Sequence, residues 1–81
     1  MIVKQEAIGD RVVAIVYSSY NRLWCVELVE PAPEGTDKWL KRADGTVVSA
    51  YHFANNRRTA EEIFSEWVTV QKMKTARRAE S

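Results

Sequence analysis

Ala60, Ile63, Phe64, Trp67 and Val70 recur at helical spacing, while the first two-thirds of the chain reads as strands. One amphipathic helix can cover only one face of a sheet. The segment "TAEEIFSEW" opens with the T-x-x-E pattern of a capping box. In that pattern Thr59 accepts from the amide of Glu62, and the Glu62 side chain returns to Thr59. Glu61 and Glu62 would then lie in the first turn, where the helix dipole favours negative charge. Glu61, Ser65 and Glu66 point away from the stripe. The stripe stops at Val70, because Gln71 and Lys74 hold its next positions. The β-branched "WVTV" leaves room for a break or a short strand near 67–70. Residues 1–70 are expected to form a single domain, and 71–81 a basic tail that extends the helix or frays.

The strand candidates follow from alternation and turn residues. "IVKQEAI" is a short first strand, and "GD" at 9–10 suits a type II′ hairpin turn. "RVVAIVYS" is dense in β-branched residues. "SYNR" marks the next turn. In "LWCVELVE", Trp24, Val26 and Leu28 share one face, and Leu23, Cys25, Glu27 and Val29 the other. "PAPEGTD" contains Pro31, Pro33 and Gly35 and reads as a surface loop. "KWLKR" is expected as a short strand, "DG" at 44–45 as a type I′ turn, and "TVVSAYHF" as the last strand. The expected fold is α+β. About five strands form an antiparallel meander, with one C-terminal amphipathic helix packed across one face. The other face then carries too many apolar residues for water, so a second copy, a partner or strong curvature is expected to cover it.

The chain has 81 residues and eight aromatics, three of them tryptophan. No apolar run approaches the ~20 residues that span a bilayer. No basic segment followed by an apolar run marks a signal peptide, and Cys25 is the lone cysteine. A cytoplasmic location is therefore expected. The net charge of +1 is unevenly spread: residues 1–70 carry eight basic and ten acidic groups, and residues 71–81 four basic and one acidic.

Motifs for reaction chemistry are sparse. One histidine and one cysteine do not make a zinc ligand set. Three glycines do not build a Walker loop or a dinucleotide fingerprint. Cys25 and His52 would form a nucleophile–base pair only if their strands brought them together, and no oxyanion donors are apparent. Glu27 and Glu30 are placed on opposite strand faces, and the helix terminus accounts for Glu61 and Glu62. Neither catalysis, a metal nor a cofactor is expected.

Groups suited to recognition are more numerous. Arg57 and Arg58 stand at a helix entrance, where they can pair with Glu61 and Glu62 or grip a partner. Lys72, Lys74, Arg77 and Arg78 can contact nucleic acid through counterion release. Tyr17, Trp24 and Tyr51 can form a stacking platform or belong to the core.

The run "DGTVVSAYHFANNRRTAEEIFSEWV" strings together a hairpin strand, a polar loop and a capped helix. In organisation, across residues 11–70, it resembles the small α+β proteins of phages and plasmids, among them several anti-CRISPR families. That resemblance implies a small domain that blocks a host effector complex by binding it, without catalysis. It carries over no functional residue.

Three functions are therefore expected, in order. The first is a stoichiometric protein-binding module, in its specific form an anti-CRISPR-type inhibitor of a nucleoprotein effector. Its anchors would be Trp24, Trp39, Tyr20 and Tyr51, with Arg57, Arg58 and the loop 31–37 as rim. The second is a nucleic-acid-binding regulator that uses Arg57, Arg58 and the basic tail. The third is a structural or oligomerising phage protein. A homodimer, covering the second sheet face or pairing two edge strands, accompanies the first.

Overall fold

A computed structural model of the chain describes the backbone of residues 1–80 and the side chains of residues 1–77. Four strands, β1 (Ile2–Ile8), β2 (Arg11–Ser18), β3 (Leu23–Pro31) and β4 (Thr46–Ala54), precede one helix, α1 (Arg57–Glu80). The strands form one antiparallel sheet in the order β1-β2-β3-β4. The fold is α+β as expected, with four strands rather than five. "KWLKR" forms turns, and Trp39 and Leu40 stand in solvent. Cationic residues flank those two apolar side chains, so no alternating face exists to hold the segment against the sheet.

The turns explain the register. Gly9 has φ +62° and Asp10 is not in the positive-φ region, which matches the type II′ hairpin expected there. "DG" at 44–45 does not form the expected type I′ hairpin. The amide of Gly45 bonds to the carbonyl of Arg42 at 3.0 Å, and Gly45 leaves that turn at φ +83°. Asp44 caps the same turn by accepting from the amide of Thr46 at 3.1 Å. No strand lies directly before the turn, so β3 and β4 pair across a long connection instead of a tight hairpin. Ser49 is the extra residue of a bulge, because Leu28 pairs with Ala50 while Val29 pairs with Val48.

The helix begins one turn earlier than the capping box implied. Asn56 is the cap: its Oδ1 accepts from the amide of Thr59 at 2.8 Å, and its carbonyl accepts from Ala60 at 3.2 Å. Asparagine outranks threonine as a cap, which accounts for the earlier start. The first turn therefore carries Arg57 and Arg58 and no acidic residue.

The buried stripe also differs. Ala60, Phe64, Val68 and Gln71 are buried, Ile63 and Trp67 flank them, and Val70 is exposed. The helix continues unbroken through 67–70. Gln71 is tolerated inside because its Oε1 accepts from Nη1 of Arg11 at 2.7 Å. Arg11 Nε pairs in turn with Glu30 at 3.3 Å. The stripe covers Ile8, Val13, Ile15, Val26 and Ala54, with Trp24 and Leu28 packed against them. This is the core, and it lies between the sheet and the helix. The thinnest dimension of the molecule is 14 Å, enough for a helix on a sheet but not for a third layer ~10 Å further out.

Candidate protein-binding face

The uncovered face of the sheet is apolar by alternation. With Val13, Ile15, Val26 and Leu28 turned toward the helix, the residues between them must face the other way. Val12, Ala14 and Val16 of β2 and Leu23, Cys25 and Val29 of β3 therefore turn to the side away from the helix, where Ala14 and Val29 are buried and the other four half-buried. The Ser49 bulge brings Val48 to the same side as Tyr51 and Phe53 of β4. Tyr51 is 63% exposed and Phe53 56%, and their rings meet edge to face with centroids 5.5 Å apart. Two shallow hollows of about 400 Å³ each lie on this face. Val16, Leu23, Cys25, Tyr51 and Phe53 wall the first. Val12, Ala14, Val29 and Arg42 are among those bounding the second.

Glu27 borders both hollows. It is the one charged residue that β2, β3 or β4 turns to this side, and its side chain is mostly buried. Nη2 of Arg42, reaching in from the 32–45 connection, lies 3.4 Å from Oε2 of Glu27. That is one long contact rather than a bidentate pair.

The expected anchors do not converge. Tyr51 is on the open face. Trp24 is on the helix side, half-buried, with its ring 4.6 Å from Tyr17, so the platform of Tyr17, Trp24 and Tyr51 is split between the two faces. This correction follows from register: Tyr17 pairs with Trp24 beneath the helix, while Tyr51 pairs with Glu27. Tyr20 sits on the β2–β3 turn and Trp39 on the β3–β4 connection, both exposed and neither bordering the two hollows. Phe53, Val48 and Val16 belong to the face but are not among the anchors expected from the sequence, and Leu23 is placed on it by alternation without being named an anchor. The alternation of "LWCVELVE" and the i+2 spacing of Tyr51 and Phe53 carried the signal.

The basic residues have local partners. Arg57 and Arg58 pair with Glu61 and Glu62 one helical turn on, each at 3.5 Å. The guanidinium of Arg57 also lies 6.0 Å from the Trp24 ring. Lys72 pairs with Glu6 at 2.9 Å. Lys74 and Arg77 are exposed near the helix C-terminus, where the dipole favours cations. The side chain of Arg78 lies outside the described residues.

Cys25 and His52 stand on opposite faces, since Cys25 pairs with Phe53 and Val26 with His52. Nδ1–H of His52 donates to the carbonyl of Phe53 at 2.8 Å. Glu27 and Glu30 are likewise on opposite faces, each with its own arginine. Among the described residues no three of His, Cys, Asp or Glu converge as metal ligands, and no helix is long and apolar enough to cross a membrane.

Burial raises the pKa of the Cys25 thiol, and the negative charge of Glu27 raises it further; a hydrogen bond from the His52 backbone opposes both. The thiolate fraction at neutral pH is correspondingly small. Alkylation by iodoacetamide should rise with pH to a midpoint above that of a free cysteine peptide, and Glu27→Gln should move that midpoint down. A midpoint at or below the free-peptide value would contradict this account of the open face.

Comparison with family models, with curated proteins and with solved structures finds no match to this chain.

Proposed function

We propose that the protein is a non-enzymatic, stoichiometric protein-binding module whose docking surface is the open sheet face. The supporting observation is the Tyr51–Phe53 pair standing in solvent above Val16, Leu23, Val48 and Cys25, on a sheet whose other face is already sealed. A contiguous apolar surface of this kind is costly to leave in water, and paired aromatics are favoured anchors for a partner. Trp39, Leu40 and Tyr20 add exposed apolar area on the connections between strands. In its specific form the module is an anti-CRISPR-type inhibitor that occludes a site on a host effector complex; that form rests on the resemblance across residues 11–70. A second copy of the chain, as a homodimer, is the competing occupant of the face.

One observation favours the nucleic-acid alternative. Arg57 and Arg58 occupy a helix N-terminus that carries no acid in its first turn, an end that attracts anions. The pairing of Arg57, Arg58 and Lys72 with carboxylates weighs against it.

The test is capture from lysate of the native host with the tagged chain, followed by washes of rising salt and identification of the retained species. A protein retained at high salt in a fixed ratio is expected, with the purified chain free of nucleic acid. Copurifying nucleic acid that elutes steeply with salt, and loses affinity on replacing Lys74 and Arg77 with alanine, would replace this reading with the alternative. Those two substitutions are preferable to deleting 71–81, which would remove the buried Gln71.

A further inference from the structure

Glu27 is an anomaly on the face that the proposed function uses. A mostly buried carboxylate borders both hollows, the first largely apolar and the second also lined by Gln5, Asp44 and Thr46, and receives one 3.4 Å contact from Arg42. Its second oxygen, Oε1, takes no hydrogen bond from the described residues and is left to solvent in the free protein. Any partner that covers this face takes Glu27 out of water. An under-paired carboxylate then opposes docking, unless the partner supplies a cation with donors for both oxygens. A planar guanidinium does that in a bidentate fork, and its aliphatic stem suits an apolar wall.

We propose that the hollow walled by Leu23, Cys25, Tyr51 and Phe53 receives an arginine side chain of the protein partner, with Glu27 as its counter-charge. Arg42 fills that role loosely in the free protein. It is held from outside the sheet, where its amide bonds to the carbonyl of Thr46 at 2.8 Å and its carbonyl accepts from Gly45 at 3.0 Å. Its side chain is about half exposed, so it can withdraw into solvent when an incoming guanidinium takes Glu27. Tyr51 and Phe53 line the hollow and are largely exposed, so their rings are within reach of an arriving cation, and a cation–π contact favours arginine over a neutral residue. The proposal rests on the protein-binding reading and adds what the partner must carry.

Benzamidine is a suitable probe, because it joins an amidinium fork to an apolar ring, and benzamide is its neutral counterpart. Each is titrated into the isotopically labelled full chain, and amide shifts are followed. Benzamidine is expected to shift Leu23–Glu27 and Tyr51–Phe53 at concentrations about tenfold below those benzamide needs. Glu27→Gln should erase that difference, and Arg42→Ala should strengthen benzamidine binding several-fold. Far-UV circular dichroism and melting of both variants confirm that the fold is retained. Equal affinity for the two probes in both the wild type and Arg42→Ala, or shifts confined to other residues, would overturn the proposal. A protein partner captured equally well by wild type and Glu27→Gln would also overturn it, while leaving the protein-binding reading intact. Failure of that broader reading shows instead as loss of capture by every version of the chain.

Discussion

Phe64→Ala should lower the unfolding free energy by about 3–5 kcal/mol, and Val70→Ala should change it by less than about 0.5 kcal/mol. Both residues lie on the helix, and the apolar spacing of the sequence placed both on its buried stripe. The structure separates them: Phe64 is 3% exposed and Val70 40%. Phe64 is the buried aromatic ring of the cluster that holds Ile15 and Val26, so truncation removes the cluster's largest buried side chain and leaves a cavity. Its ring also carries the ammonium of Lys4, 5.0 Å from the centroid. Small domains have only ~5–10 kcal/mol to lose, so Phe64→Ala should leave a barely stable chain. Urea unfolding of the two variants, read at the midpoint with slopes compared, checks the contrast. Equal losses would mean that the helix is rotated about its axis relative to the arrangement described.

The second large effect is on binding. Replacing Tyr51 and Phe53 together with alanine should weaken the captured partner by at least about 2 kcal/mol, roughly 30-fold. The two rings lie outside the core and touch each other, so the stability cost should stay within about 1.5 kcal/mol. Trp24→Ala is the informative contrast. Trp24 packs against the core beneath the helix, so its loss should destabilise the fold and reduce binding only through unfolding. Titration calorimetry with the identified partner, alongside thermal melts, separates the two behaviours. Normal affinity in the Tyr51/Phe53 double variant would remove the open face as the docking surface.

Much of this arrangement was legible in the sequence because burial imposes short periods. The alternation of Trp24, Val26 and Leu28 against Leu23, Cys25 and Val29 assigned both faces of β3 correctly. The excess of apolar residues on the second face was legible too, since one helix cannot cover two sides. What escaped depends on contacts distant in sequence, or on choices between nearly equal local options. Gln71 read as the end of the stripe because it is polar; its partner Arg11 is sixty residues away. Asn56 and Thr59 are both capable caps three residues apart, and the side-chain bond from Asn56 decided between them. The bulge at Ser49 left no mark, yet it puts Val48 beside Tyr51 and Phe53. Trp39 and Leu40 read as strand because they are apolar, although they meet nothing that would bury them.

The candidate site was less legible than the fold for a related reason. Aromatic residues were singled out by type, and type does not say which face a side chain joins. Register does: it sent Trp24 beneath the helix and Tyr51 to the open side. Glu27 attracted attention only as one of a carboxylate pair, because its position between two hollows and its loose contact with Arg42 require the β3–β4 connection to fold back over the sheet.

α1 seals one sheet face, and the proposed docking surface is the opposite one, a difference that solvent access to side chains reports. The most direct measurement is the line broadening of side-chain NMR signals by a soluble paramagnetic chelate in dilute, partner-free protein. Strong broadening is expected at Tyr51 and Phe53, with Phe64, Val13 and Ile15 protected. Protection of Tyr51 and Phe53, or broadening of Phe64 equal to theirs, would contradict this arrangement.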